Sequence, residues 1–177
     1  YIEAAFKLLD NVRPQELFTN KQNQDFTLKN NIEYQYFMNF VNDNLNLIPY
    51  RTEWCIYDTQ LKLAGSIDMV FTDKNNKFYI YDWKRSKEIK KTNNYNETSL
   101  LPILDYIPNS NYWHYTLQLN IYKAMLERNY NIIIDSLYLV IIYPENKNYI
   151  KICVPIMNEL INELFIYRHN LINNNNQ

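Results

Sequence analysis

Residues 63–87 read LAGSIDMVFTDKNNKFYIYDWKRSK, and this stretch decides the fold. Leu61 to Thr72 and Phe78 to Arg85 are rich in side chains that fit a pleated, half-buried surface. Between them Asp73-Lys74-Asn75-Asn76-Lys77 has the composition of a turn, so the two runs are expected to pair as an antiparallel hairpin. Alternation puts Ser66, Asp68 and Val70 on one face of the first strand, and Ile80, Asp82 and Lys84 on one face of the second. Pairing then brings Asp68 and Asp82 together with Lys84 beside them. Carboxylates inside strongly apolar strands are costly unless they are paired or hold a cation. Hard divalent cations such as magnesium take such oxygen ligands together with substrate phosphate and water, and a neighbouring lysine can stabilise developing negative charge or orient a water. The same three residues also fit a plainer description, a surface Asp82–Lys84 pair with Asp68 near a strand end. Gly65, the one glycine of the chain, marks either a bulge or the close approach of another group.

Working outward, Tyr50 to Asp58 (YRTEWCIYD) is a further extended run, turned back at Asp58-Thr59-Gln60, so the hairpin becomes a three-stranded antiparallel meander. Before it, Leu28 to Val41 has helical spacing with Ile32, Tyr36, Phe37 and Phe40 on one face. Residues 1–10 carry a similar stripe of Ile2, Ala5, Phe6 and Leu9, and with a start in mid-helix without Met the natural beginning is expected to lie upstream. After the meander, Lys87 to Asn111 contains Pro102 and Pro108 and reads as a long loop of the kind that serves as a lid or binding loop. Tyr112 to Arg128 is a helix, Ser136 to Tyr143 and Tyr149 to Pro155 are strands, and Asn158 to Leu171 is a closing amphipathic helix. The expected fold is α/β, a central mixed β-sheet flanked by helices, in one domain over residues 1–172 with a disordered tail at 173–177.

The 177 residues, 47% hydrophobic and 21% charged, suit one globular domain. A net charge of −1 gives no global basic field, so contact with nucleic acid has to come from a local patch. No apolar run approaches the roughly 20 residues of a membrane span and no secretory signal is visible. The expectation is an intracellular protein, cytoplasmic or nuclear, that is not secreted and has no membrane partner. Cys55 and Cys153 lie in apolar strand contexts and are expected to be buried free thiols rather than a disulfide. Two cysteines cannot make a four-cysteine cluster by themselves.

Gly65-Ser66-Ile67-Asp68 followed by Tyr81-Asp82-Trp83-Lys84 resembles the signature of the PD-(D/E)xK nuclease superfamily. The form G-x-I-D and then D-W-K is similar to its RecB-type exonuclease branch. That branch carries Q-x-x-x-Y on the following helix, matched by Gln118 to Tyr122, which lie four apart on one helical face. D-x-K alone is common by chance; the three motifs in order, within Pro49 to Leu126, are specific. The resemblance implies a restriction-endonuclease-like αβββαβ core and a magnesium or manganese cofactor held by Asp68 and Asp82. It implies that Lys84 assists the attacking water, and that Gln118 and Tyr122 face the active site and its DNA strand. The implied substrate is DNA, as single strands or duplex ends, cut by an exonuclease or end-processing enzyme of replication, repair or recombination with a helicase or recombination partner.

The family usually adds a histidine, with or without a glutamate, from an N-terminal helix, and neither His114 nor His169 is in that place. Glu3 is therefore the expected further metal ligand, with Glu33 the alternative. The cysteine count excludes the family's iron–sulfur subgroup. Beside such a motif, Arg85, Lys87, Lys90 and Lys91 are expected to contact phosphates, with Arg51 extending the patch. Tyr115 is expected to stack on bases, whereas Trp113 is expected in the core. Two other readings remain open. One is a degenerate nuclease-like domain that binds nucleic acid or a protein. The other, weaker, is a two-carboxylate glycosidase, in which Lys84 has no task.

Overall fold

The computed structural model describes residues 31–174 with the exception of 94 and 96. Helix α1 (Ile32–Asp43) begins where the side chain of Asn31 accepts hydrogen bonds from the backbone N–H groups of Glu33 (2.8 Å) and Tyr34 (3.2 Å). That cap satisfies two donors that a helix start otherwise leaves open, so α1 begins after the Leu28 expected from spacing. Strands β1 (Ile48–Asp58), β2 (Leu63–Thr72) and β3 (Phe78–Lys84) follow as the expected meander. The turn between β2 and β3 is folded by Asp73, whose Oδ1 accepts from the N–H groups of Asn75 (2.9 Å) and Lys77 (3.0 Å). A short 3₁₀ turn at Pro102–Leu104 lies in the long connection to helix α2 (Asn111–Asn129). Strands β4 (Ile134–Ile141) and β5 (Ile150–Val154) and helix α3 (Asn158–Asn174) complete the described chain.

The strands form one sheet in the order β1-β2-β3-β4-β5, antiparallel except for the parallel pair β3–β4. A parallel neighbour requires a crossover, and α2 supplies it. The result is the expected α/β architecture, a mixed sheet with helices on both faces. On one face Tyr36, Phe37 and Phe40 of α1 pack with Met69, Phe71, Tyr81, Val140 and Ile142. On the other, α2 and α3 bring Leu119, Met125, Leu126, Ile161 and Phe165 against Ile67, Val70, Ile80, Leu137 and Leu139. Buried Asn120 joins the two helices: its amide donates to the carbonyls of Thr116 and Pro155 and its oxygen accepts from the N–H of Met157, just ahead of α3. Among the described residues no helix is long and apolar enough to cross a membrane.

Several expectations are corrected. Strict alternation along β2 fails, because Ile67 and Val70, three apart, join the α2-side cluster while Met69 and Phe71 join the α1-side cluster. The strand changes face around Asp68. Across from it, between the pairs Thr52–Met69 and Trp54–Ile67, Glu53 has φ 45°, in the left-handed region. Cys55 and Cys153 are free, as expected, but exposed rather than buried. They sit on the two outer strands of the sheet, too far apart in strand order to be bridged. Helix α3 continues through Asn174, so residues 173 and 174 of the expected tail are helical. The helix expected over residues 1–10 lies outside the described residues.

Candidate active site

Pairing between β2 and β3 runs from Thr72–Phe78 to Met69–Tyr81 and then stops. Beyond that point β2 stays with β1 as far as Leu63–Asp58, and β3 stays with β4 as far as Lys84–Ile141. The sheet therefore opens between its second and third strands. Asp68 is the first β2 residue past the last pair, and its Oδ2 accepts a hydrogen bond from the backbone N–H of Trp83 (2.9 Å). A carboxylate thus takes the place of the ladder carbonyl, which fixes Asp68 at the mouth of the opening.

On β3, Trp83 turns to the α1 face, where its ring meets Phe37 (5.8 Å) and Phe40 (4.9 Å). Its neighbours Asp82 and Lys84 consequently point the other way, toward α2. The Lys84 ammonium lies 2.6 Å from Asp82 Oδ2. Asp82 is only 3% exposed. Burial pushes its carboxyl up from 3.8 to about 6, with a smaller push from the charge of Asp68 and an opposing pull from Lys84. The ion pair is not a well-directed hydrogen bond, since buried Oδ2 has no partner in hydrogen-bond geometry.

Helix α2 covers this corner with Tyr115, Gln118 and Tyr122, spaced i, i+3 and i+7 on one face. The Tyr115 ring sits 4.4 Å from Lys84 Nζ, in the range of a cation–π contact. Gln118 Nε2 donates to Tyr122 Oη (2.9 Å), and the Tyr122 ring, buried, lies against Gly65 of β2. The face therefore bridges from Lys84 on one side of the opening to Gly65 on the other, with Gln118 between. All five expected catalytic residues are gathered here.

A divalent cation fits this donor set. Asp68 accepts from the N–H of Trp83, next to Asp82, so the two carboxylates stand at one end of the opening, and a buried Asp82 oxygen lacks a directed donor. Such an arrangement is relieved by a hard cation between the carboxylates. Among the described residues no third His, Cys, Asp or Glu completes the group. Glu33 is engaged elsewhere, 2.6 Å from Arg85 Nε at the α1 end, and Glu3 lies outside the described residues.

The expected phosphate-binding residues are dispersed. Arg85, Lys87 and Lys90 have acidic partners in Glu33, Glu145 (2.8 Å) and Glu88 (3.3 Å). All three cations are exposed, where such pairs contribute little and yield readily to a phosphate. Lys91 stands 4.9 Å over the Tyr112 ring. The loop that carries these lysines is pinned at its base by Asn111, which accepts from the N–H of Lys90 and donates to the carbonyl of Glu88. Arg51 is not brought to them: it lies over Trp54 (4.9 Å) on β1, with β2 intervening before β3. Trp113 packs against the core as expected. Two features escaped the sequence reading, the hold of Asp68 on the Trp83 N–H and the contact of Tyr115 with Lys84. The second has a sequence signal, the i, i+3, i+7 spacing of Tyr115 with Gln118 and Tyr122.

Among solved structures, the crystal structure of SSO0001 aligns over 96% of this chain and 68% of that chain, at 16% identity and a TM-score of 0.36. No family model and no curated protein matches the chain.

Proposed function

We propose that this chain is a metal-dependent nuclease domain of the PD-(D/E)xK type, similar to the RecB branch, that hydrolyses DNA phosphodiester bonds. The observation that carries the reading is the convergence of Asp68, buried Asp82 and Lys84 where β2 and β3 part, with the Gln118–Tyr122 helix across them. Asp68 and Asp82 would hold magnesium or manganese, and when bound the ion supplies Lewis-acid stabilisation of charge on the phosphodiester. Lys84, held between Asp82 and the Tyr115 ring, brings an ammonium with three donors beside the scissile group, where they stabilise developing negative charge and orient the attacking water. Gln118 positions the strand through its amide. Lys87, Lys90 and Lys91 exchange their weak contacts for backbone phosphates of the substrate.

The activity in this reading is exonucleolytic or end-processing, on single strands or duplex ends. It belongs to replication, repair or recombination in an intracellular compartment, beside a helicase or recombination partner. Purified protein with magnesium or manganese should degrade linear DNA, and Lys84→Ala should lose that activity while still binding the metal in calorimetry. DNA left intact, with wild type and Lys84→Ala alike, overturns the reading. Nucleic-acid binding without metal binding or cleavage would identify a degenerate domain instead.

A further inference from the structure

Gly65 has a negative φ, so its backbone conformation does not require glycine. Space does. A Cβ at this position would come into hard overlap with Tyr122 Cε1 and lie 2.8 Å from Cζ and 2.9 Å from Oη. Real Cβ atoms do not approach that closely, so the ring rests where a side chain would otherwise stand. The far end of that ring, Oη, is the atom that accepts the Gln118 amide.

We infer that Gly65 is a positioning residue of the site: its bare backbone seats the Tyr122 ring, and the seated ring aims the Gln118 amide across the opening between β2 and β3. The inference rests on the proposed nuclease reading for its functional half and on packing alone for its structural half. Tyr122 is 9% exposed and acts as a strut within this arrangement, whereas half-buried Gln118 is the group left to meet substrate. Tyr115, two helical turns before Tyr122, holds Lys84 at the other side, so one helical face sets both reachable groups. Alanine at position 65 forces the phenol ring away from β2. The Gln118 amide moves with it.

The test uses Gly65→Ala, Tyr122→Leu and the double variant in the full chain, with glutamine-selective ¹⁵N labelling. Gly65→Ala should shift the Gln118 side-chain amide resonances, as Tyr122→Phe should by removing the hydroxyl. It should lower kcat by about tenfold to a hundredfold, the cost of misplacing a positioning group by about 1 Å, with KM changed by less than about threefold. In the Tyr122→Leu background, where the ring is gone, the alanine should add nothing to either readout or to the denaturation midpoint. Gly65→Ala that leaves the Gln118 resonances unmoved, or that costs as much with leucine at 122 as with tyrosine, overturns the inference. If wild type has no nuclease activity the functional reading fails by itself, and the resonances still decide the steric chain from Gly65 to Gln118.

Discussion

Asp82→Asn should stabilise the fold while removing the cation site. Displacing this carboxyl from 3.8 to about 6 means that, across that interval, the folded chain binds more protons than the unfolded one. Stability therefore falls as pH rises through the interval, and the full penalty, about 3 kcal/mol, is present above about pH 6. Asparagine copies the shape of the protonated acid and carries no charge. It leaves Lys84 without its 2.6 Å partner, which offsets part of the gain, although the side chain is 19% exposed and keeps the Tyr115 ring. The expected net effect is a gain of about 1 to 3 kcal/mol near neutral pH, shrinking toward zero near pH 4 as the wild-type carboxyl protonates. Urea denaturation of both proteins at several pH values measures it, since titrating groups not coupled to Asp82 cancel in the difference. Magnesium at about tenfold its dissociation constant should return about 1.4 kcal/mol to wild type and nothing to the variant. A variant less stable than wild type at neutral pH, or a difference independent of pH, refutes the account of Asp82 as a buried charge awaiting a cation.

Asp68→Ala should destabilise by about 1 to 3 kcal/mol because it removes the carboxylate that accepts from the Trp83 N–H, whereas Asp68→Asn, which retains an acceptor, should cost less; denaturation midpoints separate them. Burial alone would raise the Asp58 carboxyl, but the Asn129 amide, the Leu61 N–H and Arg128 outweigh it and hold it below its ordinary value. Its stabilisation is therefore present above the usual carboxylate range and lost as pH falls below it, and Asp58→Ala should flatten the acid limb of a pH–stability curve. Replacing Lys87, Lys90 and Lys91 together by alanine should weaken DNA binding and reduce the slope of log K against log salt by about 2 to 3, measured by fluorescence anisotropy. Both cysteines of the native chain should react with maleimide, and non-reducing mass spectrometry should find no disulfide within the chain.

The hairpin, the meander and the amphipathic helices were legible in the sequence because each rests on local periodicity, and tyrosine-rich strands alternate as plainly as any others. The D-W-K strand and the Gln118–Tyr122 spacing were legible for the same reason: residues two apart on a strand or four apart on a helix share a face whatever surrounds them. What periodicity could not supply was everything that depends on contact between elements. Strict alternation put Ile67 on the face of Met69 and Phe71, whereas it packs with Val70 on the α2 side. Composition placed the cysteines inside, but an outer strand presents every second residue to water. The sequence by itself determined which residues could do chemistry and on which local faces they stand. Only the tertiary structure decided that β2 and β3 part just where their carboxylates meet, and that the one glycine exists to admit a tyrosine ring. Both depend on where α1 and α2 press on the sheet, and long-range packing of that kind leaves no period along the chain.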